Sequence, residues 1–388
     1  MNVCAVISEY NPFHSGHQYH LKKTRETARA NVILALMSGY YTQRGEAAML
    51  SPRDRAAMAL KGGADLVISL PYTHTVREAE TYARLAVMTL NRLGFVDTLS
   101  FGTEDDSIKE LTATASFMEN RKEAFERLLN EELTANKLSY PAAVGAALTR
   151  AGLYAPGRDR PNSLLALAYL RALLSTGSDI TPIGVRRIGA YHNDAPAEGY
   201  PSAGALRAAF YRGDWALLKQ GMPEHAFRCL MVQALNGGIV ERKKADQAVL
   251  SRLRLSDPEY LRMRYDVKEG MENRLKKAAD TCHTAADLIE ACRGPHYTRA
   301  RISRLICHCL LDTPLPLPEA PEHVRLWGFT KAAEPLLGRL REAIPCYDSF
   351  LSLSRVKEAK AEYNAAKMWY NLTGMPADTP FHERVITP

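Results

Sequence analysis

Val6-Ile7-Ser8-Glu9-Tyr10-Asn11-Pro12-Phe13-His14-Ser15-Gly16-His17-Gln18-Tyr19-His20 sets a His-x-Gly-His element directly after an apolar run and directly before a helix. Val3 to Ile7 has the length and β-branched content of a buried strand, while Asn11-Pro12 forces an extended or turning chain before a helix can begin. Gly16 leaves room for a close ligand. Unpaired backbone N–H groups and the helix dipole draw phosphate to a helix N-terminus, and His14 and His17 add two side-chain donors there. Such donors act most on charge that develops at an α-phosphorus and a departing pyrophosphate, so neither histidine has to form a covalent bond. The spacing alone also suits a metal pair or ordinary surface residues, and His20, one turn beyond His17, resembles a third zinc ligand. No acidic or Cys residue at matching helical spacing completes that trio, so no protein metal site is expected.

Outward from this element, residues 1 to about 213 alternate short apolar runs with amphipathic stretches, the pattern of a doubly wound α/β domain with a parallel sheet. The expected strands are Val3-Ile7, Asn31-Met37, Asp65-Ser69, Thr98-Phe101 and Ile183-Ile188, with helices at Arg53-Lys61 and Arg77-Leu93. Ser51-Pro52 caps the first of these helices and Gly62-Gly63 ends it. From 214 to 388 the strand signals stop, and helix-like segments around Glu224-Leu235, Lys244-Leu253, Asp257-Tyr265, Gly270-Ala278, Thr284-Ala291, Thr298-Leu311 and Arg355-Tyr370 predict a mainly α-helical second domain. The Pro-rich stretch Thr313-Pro321 reads as a solvated connection.

With 388 residues the chain is too long for one ordinary core. It holds no run of about twenty apolar residues, and Glu9 and His14 interrupt any signal-peptide core, so a cytoplasmic protein with no membrane association is expected. Seven scattered cysteines argue against a disulfide framework. The net charge of +7 favours a polyanionic partner without demanding one.

Further candidates stand at strand ends, where open α/β sheets bind ligands. Gln43-Arg44-Gly45-Glu46 follows the second strand, and Arg44 can neutralise a phosphate or carboxylate. Gly102 ends another strand, where a base or ribose can lie against the backbone. Ser202 is a candidate cap, with Arg207 one turn behind it. Cys282-His283, Cys292, His296 and Cys307-His308-Cys309 look like a zinc cluster but lack a Cys-x-x-Cys knuckle, and Cys307 and Cys309 point to different sides of a helix. Arg293, Arg299, Arg301 and Arg304, with His296 and Tyr297, suit either an RNA backbone or a solvated helix face.

Glu9-Tyr10-Asn11-Pro12-Phe13-His14-Ser15-Gly16-His17, Met37-Ser38-Gly39 through Gln43-Arg44-Gly45-Glu46, Gly63-Ala64-Asp65-Leu66-Val67 and Phe101-Gly102-Thr103-Glu104 together resemble the tRNA(Met) cytidine acetate ligase family, within the His-x-Gly-His nucleotidyltransferase superfamily. Arg160-Pro161-Asn162-Ser163, Arg187-Ile188-Gly189, Glu269 to Arg274 and Tyr297 to Arg301 extend the resemblance to about residue 311. It implies a Rossmann-like nucleotidyltransferase domain. It also implies an ATP-dependent activity that forms acetyl-AMP from acetate and passes the acetyl group to N4 of the wobble cytidine of elongator tRNA(Met), with Mg²⁺ accompanying ATP. By the same resemblance His14 and His17 are catalytic, and Ile7 to His20, Gly102, Asn162, Arg187 and Ile188 contact the nucleotide. Residue by residue the first stretch is Ile7, Ser8, Glu9, Tyr10, Asn11, Pro12, Phe13, His14, Ser15, Gly16, His17, Gln18, Tyr19 and His20. Arg299, Arg301 and Arg304 are expected on RNA. Two departures stand out: Tyr200 to Arg207 keeps one serine and the arginine of the superfamily's second signature, and Tyr40 stands where an asparagine is expected. A small-molecule adenylyltransferase and a non-catalytic RNA-binding protein remain as rival readings.

Overall fold

A strand buried on both faces must be apolar along its whole length, and β1 (Val3–Ser8) and β2 (Val32–Ser38) meet that demand almost throughout. Their alternate residues separate onto two cores. Cys4, Val6, Ile33, Ala35 and Met37 join the core beneath α1 (Ser15–Ala28) and α2 (Pro52–Lys61). Val3, Ala5, Val32, Leu34 and Leu36 join the opposite core, under the helices Ala79–Leu93 and Pro161–Ser175. This computed structural model describes residues 1–104, 107–138, 140–154, 158, 160–186, 200–294, 297–353 and 360–388.

β3 (Leu66–Leu70), β4 (Thr98–Thr103) and β5 (Thr181–Arg186) complete a parallel set, each within two residues of its expected place. The order across the sheet is β5-β4-β1-β2-β3, so the winding reverses between β1 and β4. Open α/β sheets bind ligands at such a reversal, outside the carboxyl ends of the two strands. The His-x-Gly-His element leaves one of them and Gly102 lies in the other.

The expectation that strands stop after residue 214 is corrected by β6 (Val324–Phe329), which runs antiparallel to β3, and by β7 (Cys346–Tyr347) beside it. Arg325 hid β6, because a cation in a six-residue run reads as an interruption. Here the guanidinium is stacked 3.8 Å from the Trp327 ring and 4.1 Å from Phe350, and it pairs with the buried Glu383 at 3.4 Å. Thr313-Pro321 is solvated at Pro314 to Pro316, Glu319 and Ala320, but it is also fastened to the body of the protein. Thr313 and Leu317 are buried, Arg77 and Arg84 both hold Glu319, and Arg92 donates to the Pro321 carbonyl at 2.6 Å. The segment is clamped by three arginines that sequence periodicity assigns to other elements.

Residues 242–310 form a third core from helices Arg242–Leu255, Met271–Thr281, Ala285–Ala291 and Arg299–Leu310, as their periodicity requires. Among the described residues no helix is long and apolar enough to cross a membrane.

Tyr40, the departure from the expected asparagine, explains itself here. Its buried ring packs among Trp327, Phe350, Trp369 and Tyr370, and its hydroxyl donates to Glu383, which also accepts from Tyr370 at 2.8 Å. The C-terminal helix Lys360–Thr373 is fixed in the same region by Glu362, whose carboxylate accepts the Tyr72 N–H at 2.9 Å.

Burial pushes the Glu362 carboxyl from its ordinary 4.5 up to about 7, with the Tyr72 N–H and Arg325 pulling it back. A folded value above the unfolded one means that this group's contribution to stability is whole below pH 4.5 and is lost as pH rises through about 7. Glu362→Gln keeps an acceptor for Tyr72 and does not ionise. In urea unfolding the variant should be about 2 kcal/mol more stable than the wild type at pH 8, the gap closing by pH 4.5. A gap independent of pH overturns the assignment.

Candidate active site

His14 is the N-cap of α1, and the two histidines cap the helix for each other. The His14 Nδ1 accepts the Gly16 N–H at 3.0 Å, and the His17 Nδ1 accepts the His14 N–H at 3.2 Å. This is a capping box built from imidazoles in place of serine and glutamate. Because both Nδ1 atoms accept, the proton of each neutral ring sits on Nε2. The rings stack at 3.7 Å, and His14 is buried. A Cβ on residue 16 would lie 2.9 Å from the His14 Cε1, so the glycine between the histidines is what lets the ring lie over the helix end.

The residues before the cap set its position. The Asn11 side chain accepts the Met49 N–H at 2.8 Å, and the buried Phe13 ring occupies the space where a Cβ on Gly62 would come within 2.3 Å. Tyr10 presents its ring to His17 at 5.0 Å. Tyr10, Asn11, Pro12 and Phe13 are therefore buried supports, whereas Ile7, Ser8, Glu9, Ser15, Gly16, His17 and Tyr19 keep partial exposure and Gln18 is exposed. His20 is no zinc ligand; its Nε2 meets the Ser100 hydroxyl at 3.1 Å, and Thr24 shares that hydroxyl.

The loop after β2 closes over this end of the sheet. The Gln43 N–H donates to Glu9 at 2.8 Å, and burial raises the Glu9 carboxyl while that N–H, Arg44 and Arg207 lower it. Arg207 donates to the Asn11 carbonyl at 2.7 Å and pairs with Glu46 at 3.6 Å. Ser202 caps its helix through the Ala205 N–H, and Tyr200 lies 6.0 Å from the Tyr19 ring. The altered second signature thus still lies beside the histidine helix.

Asn162 does not cap the helix Pro161–Ser175. Glu104, just past β4, does so, accepting the Ser163 N–H at 2.9 Å and the Asn162 side-chain amide. This brings Asn162 to the end of the strand that carries Gly102. Arg187 and Ile188, like His296 of the cysteine-rich region, lie outside the described residues.

Sequence reasoning missed Arg55, which is wholly buried in α2. It donates to the carbonyls of Glu9 (2.6 Å), Ser38 (3.2 Å) and Leu50 (3.1 Å) and to that of Gly39. Burial lowers its guanidinium to about 10, so it stays charged at neutral pH. The signal available was a cation one position before the buried face of Ala56 and Ala59.

The cysteine-rich region has its own partners. Cys307 packs in the core beneath α1 and α2, whereas Cys309 lies in the helical core. His308 meets the Val76 carbonyl at 2.9 Å and the Thr313 hydroxyl at 3.0 Å, and burial lowers it to about 4. Among the described residues no group of three His, Cys, Asp or Glu could hold a metal ion. Of the three arginines expected on RNA, exposed Arg299 pairs with Glu290, and Arg301 makes a two-point pair with Asp266 at 2.6 and 2.7 Å. Arg304 is half-buried against the Gln43–Glu46 loop.

Arg55→Met removes four carbonyl partners at once and should cost on the order of 3 kcal/mol in urea unfolding. A loss below about 1 kcal/mol would mean that those carbonyls find other donors.

The sequence matches the HIGH Nucleotidyl Transferase family over residues 1–378. Its relatives include the tRNA(Met) cytidine acetate ligases of Acetivibrio thermocellus, 34% identical over 88% of this chain and 86% of the relative, and of Kosmotoga olearia, 32% identical over 89% and 84%. The crystal structure of Thermotoga maritima TmcAL bound with alpha-thio ATP superposes with a TM-score of 0.87 at 25% identity, covering 100% of this chain and 99% of that one.

Proposed function

The chain belongs to the tRNA(Met) cytidine acetate ligase family, and we propose that it joins acetate to the wobble cytidine of elongator tRNA(Met) at the expense of ATP. In the first step an acetate oxygen attacks the α-phosphorus, the bond to the β-phosphate oxygen breaks, and pyrophosphate leaves as acetyl-AMP forms. In the second, N4 of the cytidine attacks the acetyl carbonyl, AMP leaves and the amine loses a proton. The observation that supports this reading is the mutual imidazole cap at the strand reversal, which sets two histidines at a helix N-terminus, where phosphate groups bind.

In this reading His14 and His17 stabilise charge on the α-phosphate and the leaving pyrophosphate. Neither accepts a covalent bond. Ile7 to His20, Gly102, Asn162, Arg187 and Ile188 surround the nucleotide, with Tyr10, Asn11, Pro12 and Phe13 acting as the frame. Any Mg²⁺ arrives with the triphosphate. Residues 1–213 supply the chemistry, and the helices of 214–388 supply the RNA surface, in the cytoplasm where tRNA and ATP meet. The cytidine has to leave its stack to reach the mixed anhydride.

Incubation with ATP, labelled acetate and tRNA should place label in tRNA, with AMP and pyrophosphate as products. Label confined to a small acceptor would sink the ligase reading in favour of an adenylyltransferase, and RNA binding without ATP turnover would favour a non-catalytic protein. His17→Ala should lower acetate-dependent ATP–pyrophosphate exchange by about 10²-fold or more while tRNA binding persists. Loss of both would show that the histidine's part is to hold the fold.

A further inference from the structure

We infer that Arg304 grips a backbone phosphate of the RNA beside the splayed cytidine, and so positions the acceptor against the loop Gln43–Glu46. The inference rests on the ligase reading for the identity of the RNA, but its geometry is independent of it. Of the arginines on the helix Arg299–Leu310, two spend their charge inside the protein. Arg299 is paired with Glu290, and Arg301 is paired with Asp266 while lying 4.2 Å over the Tyr297 ring. Arg304, one turn further along, makes no hydrogen bond or ion pair with any of the described residues. A half-buried guanidinium without an acceptor carries a desolvation cost that an incoming anion would relieve.

Its surroundings direct that anion to the active site. Burial depresses the guanidinium's proton affinity, and Glu78, Tyr265 and Asp266 offset this only in part. The Glu78 carboxylate is already engaged by the Tyr265 hydroxyl at 2.9 Å and by Thr81. His308, the next turn of the same face, is committed to Val76 and Thr313. On the other side the helix backbone rests on Gly45. That residue has φ +81°, and a Cβ there would stand 2.8 Å from the Arg304 Cα and from the Ser303 carbonyl oxygen. The loop that Gly45 belongs to is bonded to the histidine helix's approach twice, through Gln43 to Glu9 and through Glu46 and Arg207 to Asn11.

Arg304 thus stands on the helical half, which is proposed to hold RNA, and touches the loop that closes the nucleotide site. The triphosphate of ATP belongs at the N-terminus of α1, reached through different residues. A cytidine turned out of its stack brings its own phosphodiester with it, and that is the anion whose position this arginine can set.

The test compares wild type, Arg304→Gln and Arg304→Lys in tRNA affinity over a series of salt concentrations, in acetyl transfer to tRNA, and in acetate-dependent ATP–pyrophosphate exchange without RNA. Arg304→Gln should weaken tRNA binding about tenfold and reduce the slope of log affinity against log salt by about one, and Arg304→Lys should restore part of both. Equal tRNA affinity and slope in wild type and Arg304→Gln overturns the inference. So does a loss confined to pyrophosphate exchange, which would put the guanidinium on ATP. If the wild type transfers no acetyl group at all, the ligase reading falls, while the binding comparison still decides whether Arg304 holds a phosphate.

Discussion

Arg55 is a buried charge with no carboxylate in ion-pair distance among the described residues, and the active end of the sheet is organised around it. The carbonyls of Glu9, Ser38 and Gly39 lie at or just past the ends of β1 and β2, and each needs a donor. One guanidinium supplies several of those donors, from a helix whose start is fixed by the Ser51 cap and Pro52. The strand that delivers the histidines and the strand that delivers the Gln43–Glu46 loop are thereby held at one spacing. The imidazole cap, the Glu9–Gln43 bond and the Arg207–Asn11 bond are then short-range consequences.

The parts of this fold that could be read from residues alone are those governed by local chemistry. Short continuous apolar runs marked the five parallel strands, Ser51-Pro52 and Gly62 marked both ends of α2, and Ser202 marked another helix start. The place of His14 and His17 at a helix N-terminus was legible. That they also cap the helix was not, because a cap made by imidazole nitrogens lies outside the usual Ser, Thr, Asp and Asn signal.

Tertiary pairing concealed the rest. Arg325 disguised β6 as an interrupted run because two aromatic rings and Glu383 lie far away in sequence. The attachment of the partly solvated Pro-rich segment was hidden because its three arginine clamps come from residues 77–92. Arg301 is paired with Asp266, and Glu104 accepts the Ser163 N–H at the start of the helix Pro161–Ser175. Each of these contacts has the same source: a charged side chain whose partner is set by the fold and not by spacing.

The bond between Tyr40 and Glu383 spans 343 positions of sequence. Tyr40 begins the loop that closes over the carboxyl end of β1, so that loop gains a buried anchor from a residue made long after the histidines. On a ribosome the chain emerges N-terminal end first, and domains fold as they emerge. A chain stopped before β6 would hold the His-x-Gly-His helix and the parallel strands but lack the Tyr40 anchor. The geometry therefore ties the anchoring of this loop to synthesis of Glu383, and products that stop short of it would lack a fully anchored loop.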